Sequence, residues 1–527
     1  MDRRTRTYRG ALALLLAGGV LMTGCSGSGT TGESAVDRAS GGGPAGGRQP
    51  SDARPAAPEQ RQGGADRAEE DTGRTSEAPD YLSTFALDVD TAGYGYARRT
   101  LGDGRLPAAD TVRPEEFVNS FRQGYERPAG DGFSVNVDGA ASGADDWSLV
   151  RVGLATKEAP DTGERPPAAL TFVVDISGSM AEPGRLDLVK TSLGLLADEL
   201  RDDDSVSLVT FSDEAETLLP MTRLRGNRTT LRDAVEEMEP TDSTNVAAGV
   251  AQGYEEAVEG HRKGATNRVV LLSDALANTG ETEADAILER VGDAREEYGI
   301  TLFGVGVGSE YGDRLMERLT NRGDGNTTYI ADEAQARKVF VDQLPAHVAL
   351  RARDAKAQVA FDRATVRQFR LIGYENRKVA DEDFRDDGVD GGEVGPGHTV
   401  TALYAVRLRE GASGRVATAT VRWLDPKTRK AHEATGSVTT GAIDGALWGG
   451  TGTRLQVTAV AAYFADTLRG GDLPGTPALG ELASRARKLA AATEDDAVAK
   501  LATMIERADR LRNGTGGAPP GDEGEIG

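Results

Sequence analysis

Asp175, Ser177 and Ser179 alternate with Ile176 and Gly178 directly after an apolar run, Phe172, Val173 and Val174. One carboxylate and two hydroxyls in a turn suit a hard divalent cation held through oxygen. The run is short, β-branched and apolar on both faces, so it reads as a strand buried in the middle of a parallel sheet. An open α/β sheet presents its ligands at the C-terminal ends of such strands. The triplet alone says little, because Asp and Ser are also ordinary turn formers. The reading needs more oxygens from other strand ends. Residues 267–275, NRVVLLSDA, repeat the design and end in Asp274. As neighbours at the sheet's switch point, the two strands would place both carboxylates in one crevice.

Between residues 168 and 345 the pattern alternates strand and helix, as a doubly wound parallel sheet requires. Leu186, Val189, Leu193, Leu196 and Leu200 fall at helical spacing, and 205–211 is a β-branched strand. Pro220 marks 217–222 as an edge strand. Helices are expected over 228–238 and 246–258, and another through Ala284, Ile287, Leu288, Val291 and Tyr298. The run ITLFGVGVG is a further buried strand, and a strand at 327–330 with a helix at 334–344 closes the unit.

The segments DISGSM, TDSTN (241–245) and LLSDA (271–275) resemble the three metal loops of the von Willebrand factor A (vWA) domain. The resemblance implies a metal-ion-dependent adhesion site on Asp175, Ser177, Ser179, Thr244 and Asp274. It implies that the serines and the threonine touch Mg2+ or Mn2+ while the aspartates act largely through water. A shell of neutral hydroxyls leaves the ion electrophilic, so that an Asp or Glu of a partner protein can complete it. This chain departs from the family pattern at three places. Asp242 would add a negative oxygen near the ion, Ala275 stands where glycine is common, and Leu276 replaces a frequent acidic residue.

The rest of the chain reads as an address and a frame. Residues 1–25 combine Arg3, Arg4, Arg6 and Arg9 with a short apolar stretch and Thr-Gly-Cys, an export signal. Leu21 to Cys25 resembles a bacterial lipobox, which implies lipidation of Cys25 and a membrane-anchored, extracytoplasmic protein; Sec and twin-arginine export both stay open. Residues 26–79 are too poor in apolar side chains to fold and would act as a tether of roughly 40 Å. Strand and helix signals at 80–167 have little core of their own. Alternating strands over 346–445 read as an antiparallel β-sandwich, and the 80–167 strands are expected to join it, with the vWA domain of 168–345 inserted between. Three amphipathic helices follow over 446–512, the last with a capping signature at Thr493 and Asp496, then a disordered tail over 513–527. Together 81–511 resemble bacterial vWA lipoproteins of largely uncharacterised function. Carboxylates at Asp381, Asp383, Asp386, Asp387, Asp390 and Glu393 lack EF-hand spacing and read as a solvated acidic turn rather than a Ca2+ site.

A net charge of −23 argues against nucleic acid as a partner. Cys25 is the sole cysteine and the four histidines are scattered, which leaves little for disulfides or zinc. The expected function is therefore non-enzymatic: capture of a partner protein's acidic side chain in adhesion or envelope assembly. The alternatives are a serine hydrolase on Ser177 or Ser179, for which no base or nucleophile elbow is evident, and a vWA adaptor subunit of a larger complex.

Overall fold

In the computed structural model the described residues are 81–144, 146–158, 165–274, 281–308, 313–323, 325–343, 350–449 and 452–513. The expected export signal and tether, Cys25, Ala275, Leu276 and the residues beyond 513 lie outside them.

The chain opens with β1 (Leu82–Ala86), α1 (Ala92–Gly102), α2 (Pro114–Asn119), β2 (Phe133–Ala141) and β3 (Trp147–Thr156). Pro114 sits at the first turn of α2, where its missing N–H costs no intrahelical bond. The α/β unit follows as β4 (Ala168–Asp175), α3 (Leu186–Glu199), β5 (Ser205–Phe211), β6 (Ala215–Arg223), α4 (Arg228–Glu236), α5 (Val246–Glu259), β7 (Thr266–Ser273), α6 (Glu281–Tyr298), β8 (Thr301–Val307), α7 (Asp313–Arg322), β9 (Thr327–Ile330) and α8 (Glu333–Arg337). Its sheet runs β6-β5-β4-β7-β8-β9, parallel except for β6, the Pro220 strand at one edge. From β4 the chain moves outward through β5 and β6, then returns to β7 on the other side of β4. The strand order therefore switches between β4 and β7, where a crevice opens.

Both faces of this sheet are covered. Phe172 and Val174 join one apolar core with α3 and α4, and Val173 joins a second with α5, α6 and α7. Every residue of β4, β5 and β8 is buried, and β4 and β8 accordingly read as near-continuous apolar runs.

The second half adds β10 (Ala352–Phe361), β11 (Val366–Ile372), β12 (Gly392–Val394), β13 (Thr399–Leu408), β14 (Arg415–Leu424) and β15 (Ala431–Thr439). One sheet runs β1-β10-β14-β15 with β12 beside β10, and the other runs β11-β13-β3-β2. The early strands thus complete the sandwich: Phe85 stands opposite Ala357, and Val150 opposite Tyr404. The α/β unit enters between β3 and β10.

The chain ends in α9 (Thr453–Arg469), α10 (Leu479–Thr493) and α11 (Asp496–Arg512). Gly470, with φ of 76°, stops α9 in the left-handed conformation that glycine adopts without strain. The cap of α11 is not Thr493, which belongs to α10 and donates to the Leu489 carbonyl. Asp495 does that work, accepting from the Ala497 amide at 3.0 Å. These helices share a core with Tyr94 of α1 and Phe117 of α2. Among the described residues no helix is long and apolar enough to cross a membrane.

Candidate metal-binding site

β4 delivers Asp175, fully buried, to the switch point. Its Oδ1 accepts the Ser177 amide at 2.9 Å and its Oδ2 accepts the Ser273 hydroxyl at 2.5 Å, so the carboxylate is locked in one orientation. The turn after it is pinned to β5 through Ile176 N–H donating to the Phe211 carbonyl at 2.9 Å. A single 3-10 turn, Gly178–Ala181, buries Met180 and leaves the Ser177 and Ser179 hydroxyl oxygens 3.1 Å apart. Burial pushes the Asp175 carboxyl above its ordinary range, Asp274 adds to the effect, and hydrogen bonds from Ser273 and Ser177 oppose it.

The second loop is tied to the first. Thr241 N–H donates to the Ile176 carbonyl at 2.7 Å, and Asn245 N–H to Ser212 at 2.6 Å. Between these anchors Ser243 adopts φ of 74°, a left-handed conformation uncommon for a side-chain-bearing residue. Asn245 then caps α5 by accepting from the Ala248 amide at 3.0 Å. Thr244, half-buried, lies inside this fixed loop. Asp242 is exposed, and its Oδ1 comes within 3.7 Å of where a Cβ on Gly178 would stand. The helix that follows the loop, α5, packs closely on the sheet: a Cβ on Gly253 would lie 2.2 Å from Val173 Cγ2.

Asp274 follows β7, also fully buried. Its Oδ2 accepts Arg185 Nη1 at 2.7 Å, and its Oδ1 has no hydrogen-bond partner. Arg185 begins the turn into α3 and also donates to the Ser179 carbonyl at 3.0 Å and to Glu182 at 2.6 Å. Ser273 and Arg185 are the residues that sequence reasoning missed. Ser273 carried a weak signal, since it precedes Asp274. Arg185 carried none, because a lone cation in a Pro-Gly turn has no pattern to detect.

The donor set suits a hard cation. Asp274 Oδ1 is an orphaned buried acceptor, which a protein rarely leaves without a partner. The second carboxylate, Asp175, is bonded by the Ser177 amide, and the Ser177 hydroxyl oxygen lies 3.1 Å from that of Ser179. Among the described residues no group of three or more His, Cys, Asp or Glu side chains could hold a metal, so a cation here would depend on hydroxyl oxygens. Neither serine hydroxyl bonds a histidine among the described residues, and a nucleophilic serine needs such a base. The carboxylates of 381–393 are dispersed: Asp387 pairs with Arg422, Asp390 with Arg295, and Glu393 with Arg268 and Arg353.

Residues 169–343 match the family model of the von Willebrand factor type A domain. The chain carries a vWA domain over these residues. Residues 65–151 match a model described as von Willebrand factor, and 347–417 one described as Uncharacterized protein YfbK, C-terminal. The chain is 35% identical over 337 residues to Uncharacterized protein YfbK of Escherichia coli, covering 62% of this chain and 58% of that one. It is 30% identical over 182 residues to human inter-alpha-trypsin inhibitor heavy chain H3, covering 32% of this chain and 20% of that one. The alignment therefore spans less than two thirds of either relative's length. Among solved structures, a von Willebrand factor type A protein from Catenulispora acidiphila aligns at 14% identity with a TM-score of 0.46, covering 74% of this chain and 97% of that one. vWA domains are generally interaction or adhesion modules rather than enzymes, and they often bind a metal ion.

Proposed function

We propose that this protein is a lipid-anchored, extracytoplasmic binding module that captures an acidic side chain of a partner protein through a divalent cation. Asp175, Ser177, Ser179, Thr244 and Asp274 would hold the ion, with Asp242 near it, and Cys25 would carry the anchor. A bound Mg2+ or Mn2+ supplies a Lewis-acidic position for a carboxylate. The residues of this chain do the rest: Asp175 and Asp274 fix the charge of the site, and the serine hydroxyls offer neutral oxygens. The observation that carries the reading is the buried, unpartnered Oδ1 of Asp274, one strand over from a locked Asp175.

The test is calorimetric titration of Mg2+ and Mn2+ into the full chain. Binding should be lost in Asp175→Ala and Ser177→Ala, with circular dichroism unchanged. A wild-type chain that takes up neither ion overturns the proposal. Partner capture is then checked by recovery of proteins from membrane extract with and without chelator, where chelator-insensitive capture would count against a metal bridge.

A further inference from the structure

Arg185 is only 3% exposed at its side chain and stands among the candidate metal ligands rather than beside them. It contacts the loops after β4 and β7 at once, through Ser179 and Asp274, and it packs on the end of β8. At Gly308, where φ is 80°, a Cβ would lie 2.8 Å from Arg185 Nε, so the guanidinium fills space that a larger residue would take. Of the two buried carboxylates, Asp175 has both oxygens engaged by neutral donors, whereas Asp274 shares one oxygen with a full positive charge.

We propose that Arg185 is a built-in counter-cation of this site, holding Asp274 with one oxygen left open and cancelling half of the buried negative charge that a divalent ion would meet. The inference rests on the metal-binding reading above. The buried charges, two carboxylates and one guanidinium, sum to a single negative charge, and the exposed carboxylates of Asp242 and Glu182 add solvent-screened negative charge around them. Removing the arginine makes the loaded site one unit more negative. Arg185 thus weakens the hold on the ion and strengthens the loaded site's attraction for a carboxylate ligand. A unit charge this close, in a buried setting, changes cation affinity by roughly tenfold or more.

The experiment measures Mn2+ affinity by calorimetry on the full chain at pH 8, comparing wild type, Arg185→Gln and Arg185→Lys. The expected result is Mn2+ bound about tenfold tighter by Arg185→Gln, and within about threefold of wild type by Arg185→Lys, which keeps the charge. A purely structural arginine would lower the melting temperature of the glutamine variant without tightening its Mn2+ binding, and that outcome overturns the proposal. If Arg185→Gln is too unstable to titrate, the same expectation appears as a larger rise in Tm on adding Mn2+ than wild type shows; an equal or smaller rise overturns it. Wild-type binding with an unchanged variant sinks the role of Arg185 alone, whereas no Mn2+ binding by any of the three sinks the metal reading and this inference together.

Discussion

Glu115 illustrates how a single side chain can set a pH dependence. It lies in the first turn of α2, 1% exposed, and neither carboxyl oxygen meets a side-chain partner. Gly373 packs against it so closely that a Cβ there would fall 2.1 Å from its Oε2. The charges around it are mostly of its own sign: Glu375, Asp88 and Glu116. The cations of this region are spoken for, Arg377 by Asp88 and Asp90, and Arg113 by Glu116 and Glu317. Burial, followed by Glu375 and Asp88, raises the Glu115 pKa to about 8. Its folded-state pKa therefore lies above the unfolded value near 4.5, and the folded chain holds a proton that the unfolded chain has released. Stability from this group is fully present below about pH 4.5 and is lost as pH rises through about 8. Glu115→Gln, which cannot ionise, should flatten that fall and be more stable than wild type at pH 8.5, by on the order of a few kcal/mol. Urea melts at pH 5.5 and 8.5 check this. Equal pH slopes in the two proteins would show that Glu115 is ionised in the fold. Asp90, also raised by burial, leaves some slope in the variant.

At the scale of elements, the loop that carries Thr244 leads into α5, and α5 is seated deep on the sheet. The contact of Gly253 with Val173 Cγ2 sets that depth. Gly253→Ala gains helix propensity of about 1 kcal/mol but forces a methyl into a filled space, which costs about 1–3 kcal/mol or more. Val173→Ala alone opens a cavity. Made together, the two should relieve each other, with a coupling of at least about 1 kcal/mol in a double-mutant cycle read by urea denaturation; strict additivity would mean that the helix shifts without resistance. The elements that carry the site were the ones most legible in the sequence. β4 and β7 are buried on both faces and end in carboxylates, and Pro220 placed β6 at an edge. β2, β11 and β15 escaped notice because much of each is half-buried or exposed, so the apolar alternation is thin. In α7, Leu315, Met316 and Leu319 are too few for a convincing stripe among charged neighbours. The cap of α11 was misplaced because Thr493 and Asp495 both suit a helix start, and only the course of α10 decides between them. Arg185 lies beyond such reasoning altogether, since its partner is 89 residues away.

Across the molecule, the α/β unit is fixed to the sandwich by charge as well as by packing. Arg268 on β7 meets Glu393 on β12 at 2.9 Å, with side chains 1% and 3% exposed. Arg353 stands 3.5 Å from the same carboxylate and is 27% exposed. Burial lowers the Arg268 pKa against the pull of Glu393, and burial raises that of Glu393 against Arg268 and Arg353. Desolvation thus outweighs pairing on both partners, and Arg268 Nε and Nη1 have no hydrogen-bond partner. Such a pair contributes little net stability while both members are present, yet is costly to break from one side. The two sides are unequal here. Glu393→Leu strands a buried guanidinium without its counter-ion and should destabilise by about 3–5 kcal/mol. Arg268→Met leaves Glu393 with Arg353, which already reaches solvent, and should cost clearly less. Replacing both together removes both charges and should return stability to within about 1 kcal/mol of wild type, or raise it. Urea denaturation of the four proteins decides the matter. If the double variant is as unstable as Glu393→Leu, the ion pair is a net source of stability at this junction, and the balance of burial against pairing argued from its geometry is reversed.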